Sequence, residues 1–342
     1  MRKRNVLSTA AVLGAALTIA LTGTAYASTT ATVATPGTTS WSNPGGGALL
    51  KTDAHCGSGL ASGGGVNVTG SGTQQQIDGI HAMETEPSTD GTNPVTSTST
   101  DATYWLGYGA TGGQGGGNYT VQPFAVCFSN ATINHTQFVV TNVSGPSGSD
   151  VMKSTTASCP TNTILLGGGG QSKLASNKSV HLIASYPSDS SGNAAGNGTT
   201  NPTSWTAVAL NGNMGTTGDT TTAYAVCSGS GITVTGITVT VKHSHVTGPN
   251  TMSTQATATS STCGTSGTMI SGGASISGGD PTTGTFTIPG SQGDHLDGDF
   301  PSDSSGNVAS NGSSTANWTA IGHAGGQTST GNGTDVWGMC MS

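Results

Sequence analysis

Six cysteines set the frame. They form three widely spaced pairs, Cys56/Cys127, Cys159/Cys227 and Cys263/Cys340, with members 71, 68 and 77 residues apart. Other landmarks keep the same beat. Trp105, Trp205 and Trp318 each stand 22 residues before the second cysteine, and an aromatic (Phe124, Tyr224, Trp337) stands three before it. His81, His181 and His295 each precede a Pro-Ser turn (Pro87, Pro187, Pro301) by six residues, and a glycine-rich run follows each first cysteine. Offsets that recur three times define an internal repeat of about 100 residues. With the second cysteine closing each unit, the modules are 28–127, 128–227 and 228–342.

Residues 1–27 read as a secretory signal peptide. Arg2-Lys3-Arg4 is followed by an apolar stretch from Ala10 to Leu21, then by small residues at Ala25 and Ala27. The stretch is shorter than the ~20 residues a membrane-spanning helix needs. Cleavage would leave five lysines against fifteen acids, 5 − 15 = −10, and no arginine. Such a chain is a poor partner for phosphate backbones, which excludes nucleic acid as an expected ligand.

The local pattern is β. Ile232–Thr235 alternates apolar residues with threonine, and Ile237–Val241 resumes the alternation on the opposite parity, which predicts one strand with a bulge at Gly236. Ser204–Leu210 and Thr222–Val226 also read as strands. Five or six short strands per ~100 residues predict an all-β fold of three tandem antiparallel modules. These are either separate sandwiches or three units around one pseudo-threefold axis, as in a β-prism. With 56 glycines and 32% core-forming side chains, the core is thin, and one disulfide per module, Cys56–Cys127, Cys159–Cys227 and Cys263–Cys340, is the expected staple. Zinc sites favour close pairs such as C-x₂-C, and none is present.

The sequence Cys159-Pro160, Gly167–Gly170, Ala184-Ser185-Tyr186-Pro187-Ser188, Trp205 and Ala223-Tyr224-Ala225-Val226-Cys227 resembles a repeated module of secreted actinobacterial proteins, Streptomyces-like in signal peptide and composition. That family has no settled function, so the resemblance implies location and repeat structure and no chemistry. Glu86 stands where the middle module has an aromatic before its proline, and Asp299-Phe300 replaces Ser-Tyr before Pro301.

Catalytic signatures are missing: there is no G-x-S-x-G elbow, Walker loop, H-E-x-x-H or EF-hand pattern. Glu84 and Glu86 share one face of a strand, where same-strand carboxylates do not face each other across a glycosidic bond, and an open solvated strand is their expected setting. Asp294, Asp297, Asp299 and Asp303 crowd one stretch, the donor chemistry calcium takes, against an acidic turn as the plainer expectation. His243-Ser244-His245 puts two imidazoles on one strand face, a start for a transition metal. The repeated Trp105, Trp205 and Trp318 are expected in the core, with sugar stacking as the functional alternative. His81, His181 and His295 are expected to pin a buried loop, with a shared ligand site as theirs. Together these features predict a secreted, non-catalytic protein with a structural or adhesive role at the cell surface, binding extracellular glycans. A hydrolase with an unrecognised site, or an inhibitor or partner of secreted enzymes, is the alternative.

Overall fold

The structure is a computed structural model. It describes residues 28–113, 117–173, 180–212, 218–265, 267–326 and 329–342, so the expected signal peptide lies outside the described residues. The first module carries β1 (Thr30–Ala34), β2 (Thr39–Ser42), β3 (Leu49–His55), β4 (Leu60–Ser71), the one-turn helix α1 (Gln74–Ile77), β5 (Ile80–Ser88), β6 (Tyr104–Thr111) and β7 (Asn118–Ser129). The second carries β8 (Thr136–Ser144), β9 (Val151–Ser158), β10 (Leu165–Lys173), β11 (Val180–Ser188), β12 (Ser204–Asn211) and β13 (Thr220–Ser228). The third carries β14 (Val239–Thr247), β15 (Gln255–Thr259), β16 (Thr268–Ser277), β17 (Asp294–Ser302), β18 (Asn317–Ala324) and β19 (Gly333–Met341).

Each module splits its strands between two sheets. The first sheet runs β1-β7-β4-β17-β18-β15, with β2 also on β7; the second runs β3-β6-β5-β10-β13-β8; the third runs β14-β19-β16-β11-β12-β9. Module 1 therefore shares one sheet with module 3 and another with module 2, and modules 2 and 3 share the last. The seams are short antiparallel pairings: Gly170↔Thr85 and Gln171↔Glu84, Ala184↔Ser275 and Ser185↔Ala274, Gly298↔Asn67 and Asp299↔Val66. The circuit closes on itself, and one hydrophobic core draws on all three modules. This is the prism version of the expected fold. All three disulfides pair within modules, with Cα–Cα distances of 5.4, 5.7 and 5.4 Å.

The glycine runs explain how the sheets close. The rings of Trp105, Trp205 and Trp318 are 0% exposed and lie against the backbones of Gly64, Gly168 and Gly272, where any Cβ would collide with the indole. The ring rests on the glycine run of a strand in another sheet. Each indole N–H then finds a buried acceptor, as aromatic nitrogens in cores must. Trp105 donates to Thr85 Oγ1 at 2.7 Å, Trp205 to Ser185 Oγ at 2.8 Å and Trp318 to Asp299 Oδ1 at 2.5 Å. Deep in the prism, Gly63, Gly167 and Ser271 meet so closely that side chains on the two glycines would strike the Ser271 hydroxyl.

One expected strand is absent. Ile232–Thr235 is not strand, Gly236 sits in a turn at φ 82°, and β14 starts only at Val239. Ile237 N–H closes the turn on the Val234 carbonyl at 3.2 Å, and Ile232, Val234 and Ile237 still pack on the core. The parity change that suggested a bulge is a turn with apolar residues on both sides.

Candidate functional site

The repeated histidines come together. The ring centres of His81, His181 and His295 lie 5.5, 5.6 and 6.3 Å apart, and all three side chains are buried. Each is the second residue of the strand that crosses to the next module, so the cyclic exchange carries all three to one end of the prism. His81 Nδ1 donates to the Gly79 carbonyl at 3.1 Å and His295 Nδ1 to the Gly293 carbonyl at 2.6 Å, since a carbonyl only accepts. His181 Nε2 takes the Asp294 carbonyl at 3.1 Å.

The third module changes the chemistry here. In β5 and β11 the bulged residue after the histidine is Met83 or Ile183; in β17 it is Asp297. Across the hairpin, Ala110 and Leu210 oppose His81 and His181, but His323 opposes His295. His323 Nδ1 donates to Asp297 Oδ2 at 2.7 Å, and Gln255 Nε2 donates to the same oxygen at 2.5 Å. His295 Nε2 stands 3.2 Å from Asp297 Oδ1, and His323 Nε2 stands 3.4 Å from Oδ1 of Asp78, the residue that ends α1. Neither contact has hydrogen-bond alignment, so His295 Nε2, Asp297 Oδ1, His323 Nε2 and His81 Nε2 all remain without a partner. Burial works to raise the Asp297 carboxyl, but the imidazoles of His295 and His323 hold it at about 2. His323 is raised: burial opposes its charge and the Asp297 and Asp78 carboxylates outweigh it. His81 is pushed well down, first by burial and then by its two histidine neighbours. One nitrogen each of His295 and His323 and one Asp297 oxygen lie within 4.8 Å of one another, a set that could hold a metal ion.

The four aspartates expected together as calcium ligands are separated. Asp294 takes Ser329 and Asn332, Asp299 takes the Trp318 indole, and Asp303 takes the backbone and side chain of Asn307 in its own turn. Only Asp297 enters a cluster able to hold a metal. The β-strand alternation and the bulge aim neighbouring acids in different directions, so sequence proximity overstated their convergence. The three tryptophans, at 0% exposure, offer no face for a sugar.

A second polar site interrupts the seam of the second sheet. At the other two seams an aromatic pair meets: Phe124 lies tilted against Phe300 (5.8 Å) and Trp337 stacks on Tyr186 (5.2 Å). Here Tyr224 faces Glu86 instead. Gln171 Nε2 donates to Glu84 Oε2 at 3.0 Å and to Glu86 Oε1 at 3.3 Å, and the Tyr224 hydroxyl donates to Gln171 Oε1 at 3.4 Å. The two glutamates are 6% and 0% exposed, which corrects the expectation of an open solvated strand. Burial raises Glu84 to about 7 against the pull of Gln171, Lys51 and Lys173, and burial together with the Glu84 charge raises Glu86 well above the carboxylate range. In front lies a groove of about 430 Å³ lined by Val140, Asn142, Gln171, Lys173, Gly218, Thr220, Thr222 and Tyr224.

His243 and His245 do share a strand face. His243 Nε2 and His245 Nδ1 each donate to the buried Asp335 Oδ1 at 2.9 Å, and Asp280 stands close enough to complete a second possible metal set with His243 and Asp335.

His323, Asp78, Gln171, Tyr224 and Asp335 were not expected at these sites. Comparing the three repeats position by position would have found His323, because it is the one ionisable residue at a place held by Ala110 and Leu210. No family model matches the chain, and no curated protein matches it significantly.

Proposed function

We propose that the protein is a secreted, non-catalytic structural and binding protein of the cell exterior, and that it takes extracellular glycans in the groove over the second sheet. The observation that carries this is the replacement of one apolar seam by Glu84, Glu86, Gln171 and Tyr224 behind an open groove. Amide, hydroxyl and ammonium groups from Asn142, Gln171, Thr220, Thr222, Tyr224 and Lys173 over a partly apolar floor suit a polyhydroxyl ligand. Three disulfides suit an oxidising compartment. No helix of the described residues is long and apolar enough to cross a membrane. The notion of three equivalent sugar sites is dropped, because among the described residues the Glu84, Glu86, Gln171 and Tyr224 group stands at one seam, while the other two carry aromatic pairs.

Binding is favoured over hydrolysis by the position of the acids. Glu84 and Glu86 both bond the same Gln171 amide, so they sit on one side of any ligand, whereas glycoside hydrolysis needs carboxyl groups across the bond. The test is a glycan array followed by calorimetry, with a hydrolase substrate screen on the same preparation. Asn142→Ala combined with Lys173→Ala, at the rim, should abolish binding and leave the melting temperature unchanged. Absence of any bound glycan, or turnover in the substrate screen, overturns the reading.

A further inference from the structure

We propose that His295, Asp297 and His323 form a buried site for one borderline divalent transition-metal ion, of the zinc, cobalt or copper class, with His81 beside it. Three observations converge. First, the repeats act as internal controls. Positions filled by Met83 and Ile183, and by Ala110 and Leu210, become Asp297 and His323 in the third module alone. Burying ionisable groups where two sister modules keep apolar ones is costly unless something compensates them.

Second, the side chains do not close a hydrogen-bond network. His295 spends its Nδ1 proton on the Gly293 carbonyl, which leaves Nε2 as the ring nitrogen open to an ion. That nitrogen stands 3.2 Å from Asp297 Oδ1 without hydrogen-bond alignment. His81 is held the same way by Gly79 and also ends in an unpartnered Nε2. Buried nitrogen and oxygen atoms that converge without hydrogen-bonding one another leave a place for a cation between them. His323 Nδ1 lies 2.7 Å from Asp297 Oδ2, where an ion would take the place of the proton, and its Nε2–H is then left for Asp78, 3.4 Å away and anchored by Gln74 and Ser253, the outer support that metal-binding imidazoles use.

Third, the donor set is two imidazoles and a carboxylate with atoms within 4.8 Å of one another. Imidazole nitrogen selects zinc, copper or nickel over calcium and magnesium. The His243–Asp335 group is the weaker candidate, because His243 and His245 already satisfy the Asp335 oxygen as donors.

The experiment is metal analysis of the full secreted chain, dialysed with Zn²⁺ and then against metal-free buffer. One ion per chain should be retained, with a rise in melting temperature over the stripped protein. Asp297→Ile with His323→Leu installs the residues of the second repeat, and should remove both the ion and the thermal shift. His243→Val should remove neither. Loss of the ion in His243→Val, or its retention in the double variant, overturns the proposal. The wild type stands as a test by itself if the double variant does not fold. Co²⁺ loading should give visible d–d absorption of a low-symmetry nitrogen and oxygen site. A wild-type chain that keeps no metal and shows no such band carries a proton in place of a metal ion, and the proposal falls.

Discussion

Trp205 donates its indole N–H to Ser185 Oγ at 2.8 Å, across the hairpin that joins β11 to β12, with its ring flat against Gly168. The Trp105–Thr85 and Trp318–Asp299 pairs repeat the arrangement. One residue thus fills the space left by a glycine strand and closes a polar contact inside the prism. Trp205→Ala should cost about 3–5 kcal/mol, the range for emptying a buried aromatic site. Trp205→Phe keeps most of the volume but strands the Ser185 hydroxyl, for about 1–3 kcal/mol. Denaturant unfolding of both variants checks the order.

Gly168→Ala tests the other half of that contact. In an open strand the change gains about 0.5–1 kcal/mol by reducing backbone entropy. Here the new methyl would meet the Trp205 ring and the Tyr224 carbonyl. The variant should be less stable than wild type, and a thermal melt that rises would show the ring free to retreat.

Cys159→Ser opens a loop of 68 residues. The expected loss is about 2–5 kcal/mol. Because β10 pairs with β13 on one side and with β5 of another module on the other, hydrogen exchange should quicken across the β5–β10 seam as well as near the missing bond.

Glu84 and Glu86 give stability a pH dependence of defined sign. Both carboxyls are raised in the folded chain, Glu84 to about 7, so the folded state holds protons that the unfolded state releases. Stability from this pair is fully present below the ordinary glutamate range and is lost as pH rises through about 7. The melting temperature should fall between pH 5 and 8, and Glu84→Gln with Glu86→Gln should flatten that slope. A melting temperature that climbs over the same window contradicts the buried setting of the pair.

Secretion is checked by intact mass. Protein recovered from culture medium should begin at Ser28, after the Ala25-Tyr26-Ala27 segment.

Much of the architecture was legible because cysteines, tryptophans and histidines kept fixed offsets. Those offsets carried the module count and the disulfides, and marked His81, His181 and His295 as equivalent positions. What they could not carry was partner choice. The seams rest on pairs such as Gln171↔Glu84 and Ser185↔Ala274, formed between modules by residues with no local signal. The groove was hidden for that reason: Gln171 and Tyr224 meet Glu84 and Glu86 only through strand exchange. Ile232–Thr235 failed in the opposite way, since alternation marks which residues bury and does not by itself supply a neighbouring strand to pair with.

The closed circuit of shared sheets fixes the copy number. A solenoid can gain or lose a unit by duplication or deletion, because each end only needs a cap. Here every unit lends three strands forward and receives three from behind. A chain with two units would leave half-sheets without hosts, and a fourth would have to reopen a seam and widen an interior already filled by Gly63, Gly167 and Ser271. Once the ring had closed, new chemistry could enter only by substitution within a unit, and the third module, with Asp297 and His323 at positions its sisters keep apolar, is where that has happened.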